Sequence, residues 1–333
     1  MEKKLPMTEP MIKGYPKDAN AVAILSHHEE NLALLFSYFI QLLSHREVAD
    51  PAKFNIGFSD GFEFYKNCSL LDVQRLKKHY VNDKWNDIHH FIQEAIDHGY
   101  YAYLIINCLH IPAYEEKENR PHDLLVYGYN RSTEQYDIAD CFRNGKYAFK
   151  QCSFQELEKA YVSLPEAEED FCHFNGAVQL ISYLPQEVCF QSHKVKYSLE
   201  AYLQGLPLDN RSHDPDHVYG IDGFDIFRDY MTLLRENPEL SLDIRPIYNF
   251  WEHKRVMSLR IQYMHDSGWI RNGQQRIQDY AYVEQQVMNH RNLSIKYSVN
   301  KDARILDKIR GEVFSLKEKE RDILSEILHE LQI

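Results

Sequence analysis

Long apolar runs are absent from this chain. No stretch approaches the roughly 18 residues that span a bilayer. Lys3 and Lys4 in the opening MEKKLPMTEP are followed by no apolar segment, so neither a spanning helix nor a secretory signal is expected. Basic runs are absent too. With 38 Lys and Arg against 50 Asp and Glu, the formal charge is −12, which argues against a general nucleic-acid binder. The six cysteines (Cys68, Cys108, Cys141, Cys152, Cys172, Cys189) contain no C-x-x-C pair. They read as separate reduced thiols of a cytoplasmic protein, not as a disulfide framework. No G-x-x-x-x-G-K-[ST], G-x-S-x-G or G-x-G-x-x-G occurs, so a phosphate loop, a serine-hydrolase elbow and a dinucleotide fold lack support. There is no repeat of fixed period and no low-complexity tract.

What is present is ample core material. The 333 residues suffice for one large or two ordinary domains, and 44% are hydrophobic. The 23 tyrosines favour half-buried strand faces and wet pockets. The most informative stretch is YYAYLIINCLHIPAYEEKENRPHDLLVYGYNRSTEQYDIADCFRNGKYAF, residues 100–149. It reads as strand, loop, strand, turn, strand. Tyr101 to Ile106 and Leu124 to Tyr129 are continuous apolar runs suited to buried strands. Asn130–Arg131–Ser132 reads as a turn, and Gln135 to Asp140 as the returning strand. If the last two strands pair as an antiparallel hairpin, the start of one lies opposite the end of the other. That places His122 beside Asp140. A carboxylate that fixes the tautomer of an imidazole and supports its charged form is half of a nucleophilic catalytic site.

Along the rest of the chain, residues 1–17 read as an extended lead-in and Ala21 to Leu25 as a strand. Ser26 reads as the N-cap of a helix carrying Leu32, Leu35, Phe36, Phe39, Ile40 and Leu43 on one face. Residues 54–66 suggest a loop or hairpin, Leu70 to Tyr80 a short helix, and Trp85 to His98 a helix stopped by Gly99. Ser153 and Glu156 form a capping box. Residues 165–176 are acidic and loop-like, and Gly176 to Tyr183 is strand-like. From Tyr197 the pattern is helical: YSLEAYLQGL, Phe224 to Arg235, Arg245 to Asp266, Tyr280 to His290 and Ala303 to Gln332. The expected class is α+β, with an α+β domain over residues 1–196 and a helical domain over 197–333.

PHDLLVYGYN, YDIADCF and NGKYAFKQCSFQELEKAY resemble the N-terminal domain of the butirosin-biosynthesis protein H family, as HVYGIDGFDIF and WEHKRVMSLRIQYM resemble the helical half of such proteins. That family is similar to papain-like cysteine peptidases of the double-glycine-leader type. The resemblance implies a papain-like antiparallel sheet with packed helices, with His122 and Asp140 in the histidine and Asp/Asn roles. It also implies a cysteine at the start of the first core helix. None lies near Ser26, and none lies at Asp18–Ala19–Asn20–Ala21. Three alternatives follow: Ser26 replaces the thiol, Cys68 approaches from another loop, or no covalent intermediate forms.

The family's chemistry implies an accessory enzyme of natural-product biosynthesis. It would act on an acyl or aminoacyl thioester held by a carrier protein or synthetase, by transfer to a small-molecule amine or hydroxyl, hydrolysis or cyclisation. His122 would serve as general base and Asp140 would orient it, with oxyanion donors around Ser26 to His28. The other reading is a catalytically silent papain-like protein that binds a carrier protein or peptide. No cofactor is expected beyond the partner's phosphopantetheine, and no metal, nucleic acid or membrane. The neighbours His27–His28 and His89–His90 read as solvated, and His213, Asp214, Asp216 and His217 as a polar loop.

Overall fold

A computed structural model describes residues 2–50, 53–59, 68–85, 87–164, 177–208 and 214–331. In chain order its elements are β1 (Glu2–Lys4), α1 (Pro16–Leu25), α2 (Leu32–Leu35), β2 (Leu42–His45), β3 (Ile56–Phe58), β4 (Leu71–Lys77), α3 (Lys78–Lys84) and α4 (Ile88–Asp97). There follow β5 (Tyr100–Asn107), β6 (Pro121–Asn130), β7 (Gln135–Cys141), β8 (Tyr147–Ser153), α5 (Phe154–Val162) and β9 (Ala177–Tyr183). The chain continues with α6 (Ser192–Gln204), β10 (His217–Tyr219), α7 (Gly223–Glu236), α8 (Ile244–Asp266), α9 (Gly273–Asn300) and α10 (Ala303–Glu330). The class is α+β, with antiparallel sheets and a helical C-terminal part. Among the described residues no helix is long and apolar enough to cross a membrane.

Two compact units divide the chain. The first comprises Met1–Leu32 and Phe64–Glu187, the second Ala33–Glu63 and Val188–Ile333. Residues 33–63 thus join the helical part, an arrangement that composition along the chain does not signal.

The first unit is built on a sheet ordered β4-β9-β5-β6-β7-β8, with β1 added to β6. β5 is apolar from Tyr101 to Ile106, as suits a central strand covered on both faces. On one face Tyr136 meets His89 of α4 and Phe154 at the start of α5. On the other, the Tyr147 hydroxyl donates to Asn20 of α1. The hairpin β6–β7 forms as the apolar run and the turn after it suggest, with Leu125 opposite Ala139. Its register shifts between Val126 and Gly128. A Cβ on Gly128 would lie 2.8 Å from an Asp137 oxygen and 3.1 Å from the Lys3 carbonyl, so a larger residue would make Asp137 move and press on β1. Asn130 Oδ1 closes the turn by accepting from the Ser132 amide at 3.0 Å.

Three expectations need correction. Ala21 to Leu25 is helix, not strand: it is the fully buried second half of α1, and a short apolar run reads the same in either state. Leu70 to Tyr80 is helical only from Lys78, because residues 71–77 pair along their whole length with β9. Nor does a helix run from Ser26 to Leu43. Only a 3-10 turn at Glu29–Asn31 and α2 are helical there, Phe39 takes a φ of +58°, and β2 begins at Leu42. The cause is tertiary. The buried Arg260 guanidinium of α8 donates to the carbonyls of Phe36, Tyr38 and Phe39, which a helix would have used internally. The expected loop at 165–176 and half of the 54–66 segment lie outside the described residues.

In the second unit, α6 to α10 pack around a buried polar knot. Lys254 Nζ lies 2.8 Å from Glu320, and the Tyr202 and Tyr280 hydroxyls complete its surroundings. β10, β2 and β3 form a small antiparallel sheet in the same unit.

Candidate active site

Antiparallel pairing of β5, β6 and β7 brings the candidate residues to one end of the sheet. His122 sits opposite Ile106, near the end of β5. Asp140 is the penultimate residue of β7. His122 Nδ1 lies 2.9 Å from Asp140 Oδ2, the juxtaposition that the hairpin register implies. Nδ1 also lies 3.0 Å from the Asp123 carbonyl and 3.4 Å from Asp123 Oδ1.

Asp140 is completely buried and would be costly there if unpaired. It is well supplied with donors. The Tyr114 hydroxyl donates to Oδ2 and the Cys141 amide to Oδ1 at 2.6 Å, besides the imidazole. Burial pushes its pKa up, while His122 and Tyr114 oppose the rise. These donors offset part of the cost of burying the side chain. Burial also works against a charged His122 ring. The Asp140 carboxylate, its hydrogen bond and then Asp123 outweigh burial and push the pKa up to about 10. The His122 side chain keeps 18% of its surface exposed, whereas Asp140 has none. With Nδ1 turned to the carboxylates, Nε2 is the nitrogen left to meet a substrate. Such a ring can pass a proton to a leaving group and accept one from an attacking amine.

Ser26 is not at this site. It is the C-cap of α1, not the N-cap of a following helix; its amide donates to Val22, and its buried hydroxyl has no partner among the described residues. The Asn31 side chain donates both to the Leu25 carbonyl and to the Tyr183 hydroxyl. Tyr183 adjoins Ser182, which pairs with Tyr100 at the far end of β5. Six residues of strand, about 20 Å, separate that end from Ile106 and His122. The expected oxyanion donors are also committed: the Ser26 and His28 amides donate to Val22 and Leu25. Cys68 lies toward the same distant end, before the Leu71–Tyr183 pair, and burial pushes its thiol up to about 11.

The helix terminus near the dyad is the start of α1. Cys141 Sγ contacts the Lys13 carbonyl at 3.5 Å, and Tyr15 is the N-cap. Pro16–Lys17–Asp18 fills the first turn, with neither thiol nor hydroxyl. Pro16 was the available signal for this start, since proline suits the first helical position. Cys108 was missed as well. It follows β5 two residues beyond Ile106, is fully buried, and burial pushes its thiol up to about 12. Tyr103, Tyr114 and Asp123 were also missed. The Tyr103 hydroxyl donates to Asp123 as that of Tyr114 does to Asp140.

The histidine neighbours turn to different partners. His89 stacks on Phe154 while His90 lies 3.3 Å from Asp87, and His28 stacks on Tyr183. In the 213–217 segment Asp214 accepts from the Asp216 amide at 2.9 Å, and His213 lies outside the described residues. Comparison with protein-family models and with curated proteins finds no match to this chain.

Proposed function

We propose that this protein is an accessory acyl-handling enzyme of natural-product assembly, with a papain-like first unit related to the butirosin-biosynthesis protein H family. The substrate is an acyl or aminoacyl group held as a thioester on a carrier protein's phosphopantetheine arm. The acceptor is a small-molecule amine or hydroxyl, or water. The observation that carries this reading is the 2.9 Å contact between the buried Asp140 and His122, whose side chain stays partly exposed. A thioester is already activated, so an amine can attack its carbonyl directly. The new C–N bond forms as the C–S bond breaks, and the amine's proton passes through His122 to the departing thiolate. Asp140 holds the ring for both transfers.

The second reading, a silent papain-like protein that binds a carrier protein or peptide, is favoured by one observation. The α1 start beside the dyad offers Pro16, Lys17 and Asp18 where such an enzyme carries its nucleophile. Mass spectrometry of an acyl-loaded carrier protein, incubated with the protein and an amine acceptor, separates the two. The enzyme reading expects loss of the acyl mass, slowed on the order of 100-fold or more by His122→Ala. Carrier binding with an unchanged acyl mass supports the silent reading instead.

A further inference from the structure

The dyad has a third member. His122 Nδ1, an Asp123 oxygen and an Asp140 oxygen all lie within 4.8 Å of one another. Nδ1 is 2.9 Å from Asp140 Oδ2 and 3.4 Å from Asp123 Oδ1. For metal–ligand bonds of about 2.1 Å, neighbouring ligands stand about 3 Å apart in an octahedron and about 3.4 Å apart in a tetrahedron. These two separations match edges of such a coordination polyhedron. The phenols of Tyr103 and Tyr114 steer the two carboxylates, one each, as the outer partners of metal ligands do.

Charge gives a separate argument. Asp123 and Asp140 are both buried, and among the described residues no lysine or arginine pairs with either. A divalent cation on a neutral ring balances two buried carboxylates in full.

We propose that His122, Asp123 and Asp140 form a site for one divalent transition-metal ion, of the kind that accepts mixed nitrogen and oxygen donors, such as zinc or cobalt. The ion takes the place of the proton between His122 and Asp140, so binding removes the dyad's hydrogen bond. The cluster then alternates between a proton-bearing and a metal-bearing form. This goes beyond the acyl-transfer reading and does not rest on it.

The test is a titration of the full chain with cobalt(II), read by its visible absorption, then displacement by zinc. Asp123→Asn and His122→Gln are the variants, each checked for fold by circular dichroism. Asp123→Asn keeps an acceptor for Tyr103. The expected result is one saturable site in the wild type, weakened at least about tenfold in each variant. Zinc added to the wild type should also shift the His122 ring nitrogens in histidine-selective NMR spectra, a readout that needs no variant. Lack of a saturable site overturns the proposal. So does equal affinity in wild type and variants, or an unshifted His122. Acyl turnover enters none of these readouts, so failure here leaves the enzyme reading standing, and the converse holds.

Discussion

At the residue scale, the site is a set of donors converging on one carboxylate. Asp140 is tolerated in a dry setting because Tyr114, Cys141 and His122 all point hydrogen bonds at it. Tyr114→Phe removes one donor and leaves the burial unchanged. It should cost about 1–3 kcal/mol in denaturant unfolding, since the carboxylate cannot turn to water instead. An unchanged unfolding midpoint would show that the phenol is not part of the cluster. His122 and Asp140 were legible in the sequence because hairpin pairing fixes which positions face each other. Tyr114 was not. It sits in a short turn between β5 and β6, and nothing local marks a loop tyrosine as the partner of a residue 26 positions away.

At the scale of elements, the sequence was most readable where local chemistry and tertiary packing agree. The capping box of α5 forms as the Ser153 and Glu156 pair suggests. Ser153→Ala should lower stability by about 1 kcal/mol, measured by urea unfolding. No change would mean that packing alone holds that terminus. The α4 helix stops at its expected Gly99, at a φ of +86°, but starts after the Asp87 cap and not at Trp85. Reading failed between Ser26 and Leu43, where apolar spacing fits a helix but Arg260, more than 200 residues later, takes the carbonyls. A contact so distant in sequence leaves no local trace. The same error displaced the candidate nucleophile, because a serine ending one helix was read as starting the next.

At the scale of the molecule, the C-terminal unit is organised round charges kept from water. His253 is fully buried beside Lys254, and its Nε2 lies 2.8 Å from the Ile40 carbonyl. Burial first, then the positive charge of Lys254, holds its pKa well below the usual value. The sign follows directly. Below about pH 6.5 the unfolded chain takes up a proton that the folded one refuses, so stability is present above that pH and lost below it. Unfolding free energy should fall by up to about 1.4 kcal/mol per pH unit from this residue as pH drops from about 6.5 toward 5. His253→Gln, which keeps a donor toward Ile40, should flatten the slope. An equal slope in the variant would contradict the account.

The claim on which the function rests is that His122 and Asp140 act as one unit on a substrate. The most direct measurement is a double-mutant cycle on acyl transfer from a loaded carrier protein, using His122→Ala, Asp140→Asn and the combined variant. Each single change should slow transfer on the order of 100-fold or more, with the double variant no slower than His122→Ala alone. Losses that multiply, or a His122→Ala protein that works at the wild-type rate, would contradict it.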